Sequence, residues 1–226
     1  NSSLIAFDGK GSGGINQSIL VAKNSKIKSI KDLKGKTIST PIGSSAHFML
    51  MKILEKHKIL DDVEIVHQDV ALASQLLSSK KTDAFAIWAP YPNFLEDKDI
   101  GKVLVDGSES EIDYLAGVIV DQDYADDNPA IVKAFLESLD EAHEFINNNP
   151  DEAAQIFSKQ SGFSLDITKK ETKNIKWDSN IDEKDIIFNN NYSKNKENVI
   201  KQVWQGYLKV DKKSIRLLEE YVEKSQ

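Results

Sequence analysis

The sequence predicts an α/β fold, and three observations carry that prediction. Short β-rich runs alternate with helical segments over residues 17–120. Past residue 120 the alternation stops and consecutive helical patterns take over. Between one strand and its following helix the chain places Gly43, Ser44, Ser45 and Ala46, a small polar junction of the kind found at the carboxyl edge of α/β sheets.

The strands are taken in order. "SILVA" (18–22), "KTIST" (36–40), "VEIVH" (63–67), "TDAFAIW" (82–88) and "KVLVD" (102–106) are short and rich in β-branched or aromatic residues. Helical segments fall between several of them, at 29–33, 46–57, 71–79 and 90–96. This alternation predicts a largely parallel sheet. The helix from Ala46 has the clearest pattern, with Phe48, Met51, Leu54 and Ile59 near helical spacing and Lys52, Glu55 and Lys56 on the other side. "LAGVIV" (115–120) is expected to be one more buried strand. Beyond it, Ile131, Phe135, Leu139, Ala142 and Ile146 form one stripe of a helix bounded by Asn-Pro pairs at 128–129 and 149–150. Further helices are expected at about 151–159, 166–174, 195–207 and 212–224. The asparagine-rich stretch 178–194 reads as a loop, with at most a short strand at 186–188.

Composition narrows the function. A chain of 226 residues, 40% apolar and 29% charged, has room for one large domain or two small ones with a full core. A net charge of −7 argues against a nucleic-acid partner, because phosphate neutralisation needs a basic face. No run of 18 apolar residues exists to span a membrane, and no signal peptide opens the sequence. The absence of cysteine removes disulfides, thiolate metal sites and cysteine nucleophiles. The single arginine is Arg216, in a distant helical pattern, so an arginine fork is not expected to hold an anion.

The 43–46 junction can do more than cap. The first helical turn leaves N–H groups without intrahelical partners, and the macrodipole adds about half a positive charge. Gly43 allows close approach of another group, Ser44 and Ser45 add hydroxyls, and Ala46 does not obstruct. An oxyanion fits there. Capping by Ser44 or Ser45 alone would also account for these residues. The stretch is neither a P-loop, since no Lys follows the glycine, nor a dinucleotide fingerprint.

In order along the chain, "SIKDLKGKTISTPIGSSAHFMLMKILEK", "VEIVHQDVALASQLLSSKKTDAFAIWAPY", "GKVLVDG" and "NPAIVKAFLESLDEAHEFINNNPDEAAQIF" resemble the nitrate, sulfonate and taurine class of solute-binding proteins of ABC importers, over about residues 17–160. The resemblance implies the type II periplasmic-binding-protein fold, two α/β lobes joined by two crossing strands with a ligand cleft between them. It places the oxyanion site at the start of the helix that "GSSAHF" opens. Relatives carry a longer stretch before the "SILVA" strand, forming the first half of lobe 1, so this chain is expected to lack that half. Many relatives also have Asp or Glu at the position of Ala89, which weakens the case for an amine-bearing ligand.

Other constellations are less specific. His57 and His67 close a helix and a strand, and His143 lies in an amphipathic helix beside Glu141 and Glu144, so no metal site is expected. His47 borders the junction and could donate to an anion or simply pack. Trp88 ends its strand on the same side and could meet an alkyl group or belong to the core. No Gly-x-Ser-x-Gly elbow supports hydrolase chemistry. The acidic runs at 61–62, 96–99 and 121–127 read as solvated helix ends and turns, and 199–208 reads as core.

The expected protein is a non-enzymatic, monomeric, extracytoplasmic receptor, periplasmic or lipid-anchored. It would bind a small oxyanionic solute such as an alkanesulfonate or taurine without a cofactor and deliver it to a membrane ABC permease. Residues 17–118 would form the lobe carrying the helix mouth, with 1–16 and 119–226 making the remainder of the other lobe. The expected ligand-binding residues are Gly43, Ser44, Ser45, Ala46, His47, Trp88 and Tyr114. Two alternatives stay open: a thiamine-precursor (pyrimidine) binding or synthesis protein of the same fold, and the ligand-sensing domain of a regulator.

Overall fold

The computed structural model describes residues 2–11, 14–110 and 114–179. The helices expected at 195–207 and 212–224, the 186–188 strand and the 199–208 core segment lie outside the described residues.

The first half builds a five-stranded sheet in the order β4-β3-β5-β2-β6, from β2 (Gln17–Ala22), β3 (Thr37–Thr40), β4 (Glu64–His67), β5 (Ala84–Trp88) and β6 (Gly101–Asp106). β3 runs parallel to β4 and β5, as alternation requires. β2 is antiparallel to both of its neighbours, β5 and β6, so the sheet is mixed where a largely parallel one was expected. The reason is local. The β2–β3 connection holds only a 3-10 turn (Ile30–Leu33) and no crossover helix, so nothing obliges β2 to share the common direction.

Period two decides the layers. In β5, Ala84 and Ala86 join Ile19, Val21 and Ile38 on one face, under Leu50, Ile53 and Leu54 of α1 (Ser45–Lys56). Phe85 and Ile87 join Leu20 on the other face, under Leu77 of α2 (Ala73–Ser78) and Leu95 of α3 (Tyr91–Asp97). Both faces are covered at the centre of the sheet, which is why β2 and β5 read as continuous apolar runs.

A second, antiparallel sheet has the order β7-β1-β8. β1 (Ser2–Gly11) pairs along β7 (Tyr114–Asp121), and the two-residue β8 (Ile175–Lys176) lies on its other side. No strand was expected in residues 1–16. Asp8 and the Gly9-Lys10-Gly11 run blur its alternation, and its partner lies far along the chain. The two connections between the sheets run in contact: a Cβ on Gly107 would sit 2.3 Å from the Gly14 carbonyl oxygen, so only glycine fits there.

The rest is helical: α4 (Gln122–Asp127), α5 (Pro129–Asn148), α6 (Pro150–Ser161) and α7 (Leu165–Asn174). α4 occupies the acidic 121–127 run, started by Asp121, whose carboxylate accepts the Tyr124 N–H at 2.9 Å. α6 and α7 pack through Ala153, Ala154 and Ile167, and the Thr168 hydroxyl donates to the Ala154 carbonyl at 2.8 Å. The α5 stripe departs from a core face. Ile131 and Phe135 are 55% and 48% exposed, whereas His143 is buried against Trp177 with Nε2 3.3 Å from Asp8. Amphipathicity marks a face but does not supply its partner. Phe163, between α6 and α7, stands edge-on to Tyr91 and Phe94 of α3 at 5.8 and 5.6 Å, tying the helices to the first sheet's layer.

Candidate functional site

Strands β3 and β5 are parallel neighbours, so their carboxyl ends emerge side by side, about 4.8 Å apart. β2 runs the other way and brings its first residues to the same edge, with Gln17 opposite Trp88. Pro41, the α1 mouth, Trp88 and Asn16 therefore share one edge of the sheet.

At the mouth, Gly43 turns the chain with φ of +86°, a conformation that favours glycine. Two histidines hold the loop: His67 Nδ1 accepts the Ile42 N–H at 3.1 Å, and His47 Nδ1 accepts the Gly43 N–H at 3.2 Å. Ser44 N–H donates to the Pro41 carbonyl at 3.1 Å. Of the two serines, Ser44 is the N-cap, its Oγ accepting the His47 N–H at 3.2 Å, and Ser45 opens the helix. The first-turn N–H groups of Ser45 and Ala46 then have no partner among the described residues.

His47 is 3% exposed, and burial depresses its pKa to about 4, so the ring is neutral at pH 7. Because Nδ1 accepts from Gly43, the proton belongs on Nε2. That N–H has no partner among the described residues, and neither has the fully buried Thr40 hydroxyl at the end of β3. Among the described residues, two backbone N–H groups, one imidazole N–H and one hydroxyl within residues 40–47 thus stand without a partner. Lys36 reaches Asp83 at 3.6 Å and Lys52 reaches Glu55 at 3.8 Å, so the lysines nearest in sequence pair elsewhere.

An apolar cleft of about 270 Å³ opens at the same sheet edge, lined by Asn16, Trp88, Ala89 and Pro90, by residues of α5 to α7 and β8, among them Phe157 and Glu171, and by Trp177 just after β8. Asn16 is fixed by its carbonyl, which accepts the Ala89 N–H at 2.7 Å. Trp177 is fixed by its indole N–H, 3.1 Å from the Thr172 carbonyl, and by its own carbonyl, which accepts from Asn147 at 2.9 Å. Glu171 is buried, and desolvation raises its pKa above the ordinary glutamate value against the opposing pull of Asn93 and Lys170.

The structure brings Gly43, Ser44, Ser45, Ala46 and His47 together at the mouth and puts Trp88 in the adjoining cleft, whose lining does not include the mouth residues. Tyr114 pairs through its backbone with Gly11, and its side chain lies outside the described residues. Sequence reasoning missed Thr40, His67, Asn16, Glu171 and Trp177. His67 carried a signal, as a ring at a strand end beside a loop in need of acceptors; Glu171 and Trp177 carried none. Among the described residues, no group of three or more His, Cys, Asp or Glu side chains could hold a metal ion.

The fold is that of the type II periplasmic binding proteins, as likeness to solved members shows. The alkanesulfonate-binding protein SsuA from Xanthomonas axonopodis pv. citri, bound to MOPS, superposes with a TM-score of 0.70 at 20% identity, over 82% of this chain and 64% of that one. Residues 15–153 match the NMT1/THI5-like family model, and the chain belongs to that family. The taurine-binding periplasmic protein of Escherichia coli (strain K12) is 36% identical over 141 residues, 60% of this chain and 43% of that protein. The chain spans about half the length of the curated relatives it matches. The desulfurization enzyme DSZB shares the fold, with a TM-score of 0.62 at 14% identity over 92% of this chain and 72% of the other.

Proposed function

We propose that this chain is the solute-binding component of an ABC importer and holds a small oxyanion, an alkanesulfonate or taurine, at the α1 mouth with its carbon tail over Trp88. One observation carries the reading: the N–H groups of Ser45, Ala46 and His47 Nε2 and the Thr40 hydroxyl, all at or next to a helix N-terminus at the sheet edge where an apolar cleft opens, have no partner among the described residues. A sulfonate offers three oxygens to such donors and an alkyl chain to the cleft. The names of the relatives support the class, as does the pairing of Lys36 and Lys52, the lysines nearest the mouth in sequence, with Asp83 and Glu55.

The role is binding and not catalysis. A neutral His47 with a pKa near 4 is a poor base at pH 7, and its Nδ1 is already engaged. The protein works outside the cytoplasm, periplasmic or lipid-anchored, as a monomer that docks on a membrane permease. Among the described residues, no helix is long and apolar enough to cross a membrane.

Thermal unfolding with ethanesulfonate, nitrate, ATP or DNA tests the proposal. At a concentration one hundredfold above Kd, a solute that binds only the folded state stabilises it by about 2.7 kcal/mol. Stabilisation by the sulfonate and not by the nucleotide or DNA is expected. No response to any small oxyanion, or a response to ATP, overturns the reading.

A further inference from the structure

Residues 23–36 hold six lysines and one acid, in a chain whose net charge is −7. Ile27, Ile30 and Leu33, three residues apart, are buried in the core with Val21 and Ile38. Lys28, Lys31 and Lys34 follow each of them by one position and are exposed. The 3-10 turn at the centre (Ile30–Leu33) repeats every three residues, so an apolar row points in and a lysine row points out. The segment lies at the end of the sheet opposite the α1 mouth, since β3 starts beside it at Thr37 and reaches the mouth edge at Thr40. Lys23, Lys34 and Lys36 are answered by Asp99, Asp62 and Asp83 at 2.5, 3.1 and 3.6 Å. Lys26, Lys28 and Lys31 have no carboxylate partner among the described residues. The one acid of the segment, Asp32, is turned to the backbone, its Oδ2 accepting the Lys28 and Ser29 N–H groups at 3.0 and 2.9 Å. Lys102 of β6 comes beside Lys28, its Nζ donating to the Ser25 carbonyl at 3.2 Å. Contact with the Lys28 ammonium, then desolvation, lowers the Lys102 pKa, so two like charges are held side by side.

The chemistry of this face selects its partner. Ile27, Ile30 and Leu33 are 7%, 5% and 0% exposed, so the segment offers no apolar anchor of the kind that carries protein–protein affinity. A layer of anionic headgroups needs none, because each lysine close to it is attracted on charge alone. Charges farther than about 10 Å from the layer are screened at ordinary salt, so the acidic remainder of the chain does not cancel the attraction. We infer that Lys26, Lys28, Lys31 and Lys102 form a docking face for an anionic lipid surface, which seats the lobe on the bilayer with its α1 mouth at the far end of the sheet. A phosphate between Lys28 and Lys102 would answer both ammonium groups at once. This inference goes beyond the solute reading and does not depend on what the mouth holds.

Cosedimentation of the full chain with vesicles tests the face. The expected result is binding to mixed phosphatidylglycerol and phosphatidylcholine vesicles in about 0.05 M salt, none to phosphatidylcholine alone, and release in about 0.5 M salt. Lys26→Gln, Lys28→Gln, Lys31→Gln and Lys102→Gln together should weaken partitioning at least about a hundredfold, since each lysine near such a surface is worth roughly fivefold. Lys133→Gln, Lys159→Gln, Lys169→Gln and Lys173→Gln together remove the same charge from α5 to α7 and should leave it within about threefold. If the first combination does not fold, Lys28→Gln and Lys31→Gln taken singly should each weaken partitioning by about fivefold. No binding of the unaltered chain to the anionic vesicles, or equal losses in the two combined variants, overturns the docking face. Equally tight binding to a short DNA duplex, lost in the same variant, overturns its assignment to lipid.

Discussion

His47 makes the fold sensitive to acid through a single proton. In the folded protein its pKa is about 4, because the ring is desolvated, and in the unfolded chain it returns to about 6.5. Between these values the unfolded chain binds a proton that the folded chain does not, so stability is lost as pH falls from 6.5 towards 4. That depression corresponds to about 3 kcal/mol in total, of which about 2 kcal/mol is already lost at pH 5. The ring is 3% exposed, so solvent screening does little to reduce this. The perturbation is His47→Asn, which keeps an acceptor near the position of Nδ1 for the Gly43 N–H and cannot titrate. Its smaller volume costs stability by an amount that does not depend on pH. Urea unfolding followed by circular dichroism at several pH values between 7 and 4.5 yields two curves, and their difference isolates His47, since every other titrating group is common to both proteins. The difference should shift in favour of the variant by about 2 kcal/mol from pH 7 to pH 5. Parallel curves would refute the reasoning, showing either that the ring is hydrated in solution or that it is charged and paired when folded.

Two more outcomes follow from the mouth and the cleft. Ser45→Ala should weaken sulfonate binding by about 1 to 2 kcal/mol, since a hydroxyl is lost and the N–H remains. Ser45→Pro should weaken it much more, because it removes one of the two backbone donors left without a partner among the described residues, at a position where proline is otherwise tolerated; titration calorimetry showing equal losses, with helix content unchanged, would reduce the mouth to a cap. Glu171→Gln should raise the melting temperature of the ligand-free protein at pH 7. The folded-state pKa of Glu171 is raised by burial, so its charged form opposes folding above the ordinary glutamate pKa of 4.5 and the two proteins should converge below it. A variant that melts lower at pH 7 than at pH 4, relative to the unaltered protein, would count against this.

How much could be read beforehand differs by element, for physical reasons. β2 and β5 were legible because each is a short apolar run covered on both faces, as Phe85 and Ala86 show by facing opposite layers, and β3, β4 and β6 because of their β-branched residues. The direction of β2 was not, since strand orientation depends on pairing with Trp88 and Asp106 far along the chain. β1 escaped notice because its partner begins at Tyr114 and its apolar run Leu4–Phe7 is short and followed by Asp8, Gly9, Lys10 and Gly11. At the mouth, residue type and spacing were enough to locate Gly43, Ser44 and Ser45, and the choice of Ser44 as cap needed only local geometry. The cleft was different. Glu171 and Trp177 meet Trp88 in the cleft through tertiary packing, which includes the Asn93–Glu171 hydrogen bond between α3 and α7, and nothing in the local pattern of α7 distinguishes Glu171 from a solvated acid.

The pairing of β1 with β7 also has a kinetic consequence. Joining Gly11 to Tyr114 directly would close a loop of roughly a hundred residues. Once the five-stranded sheet has formed, Ser18 and Asp106 are paired, and the same closure spans roughly a dozen free residues. The entropic cost of the closure then falls by about 2 kcal/mol. The intervening chain, folded first, works as a clasp that brings the ends of the second sheet into register, so β7-β1-β8 is placed to zip up after the sheet that carries the α1 mouth.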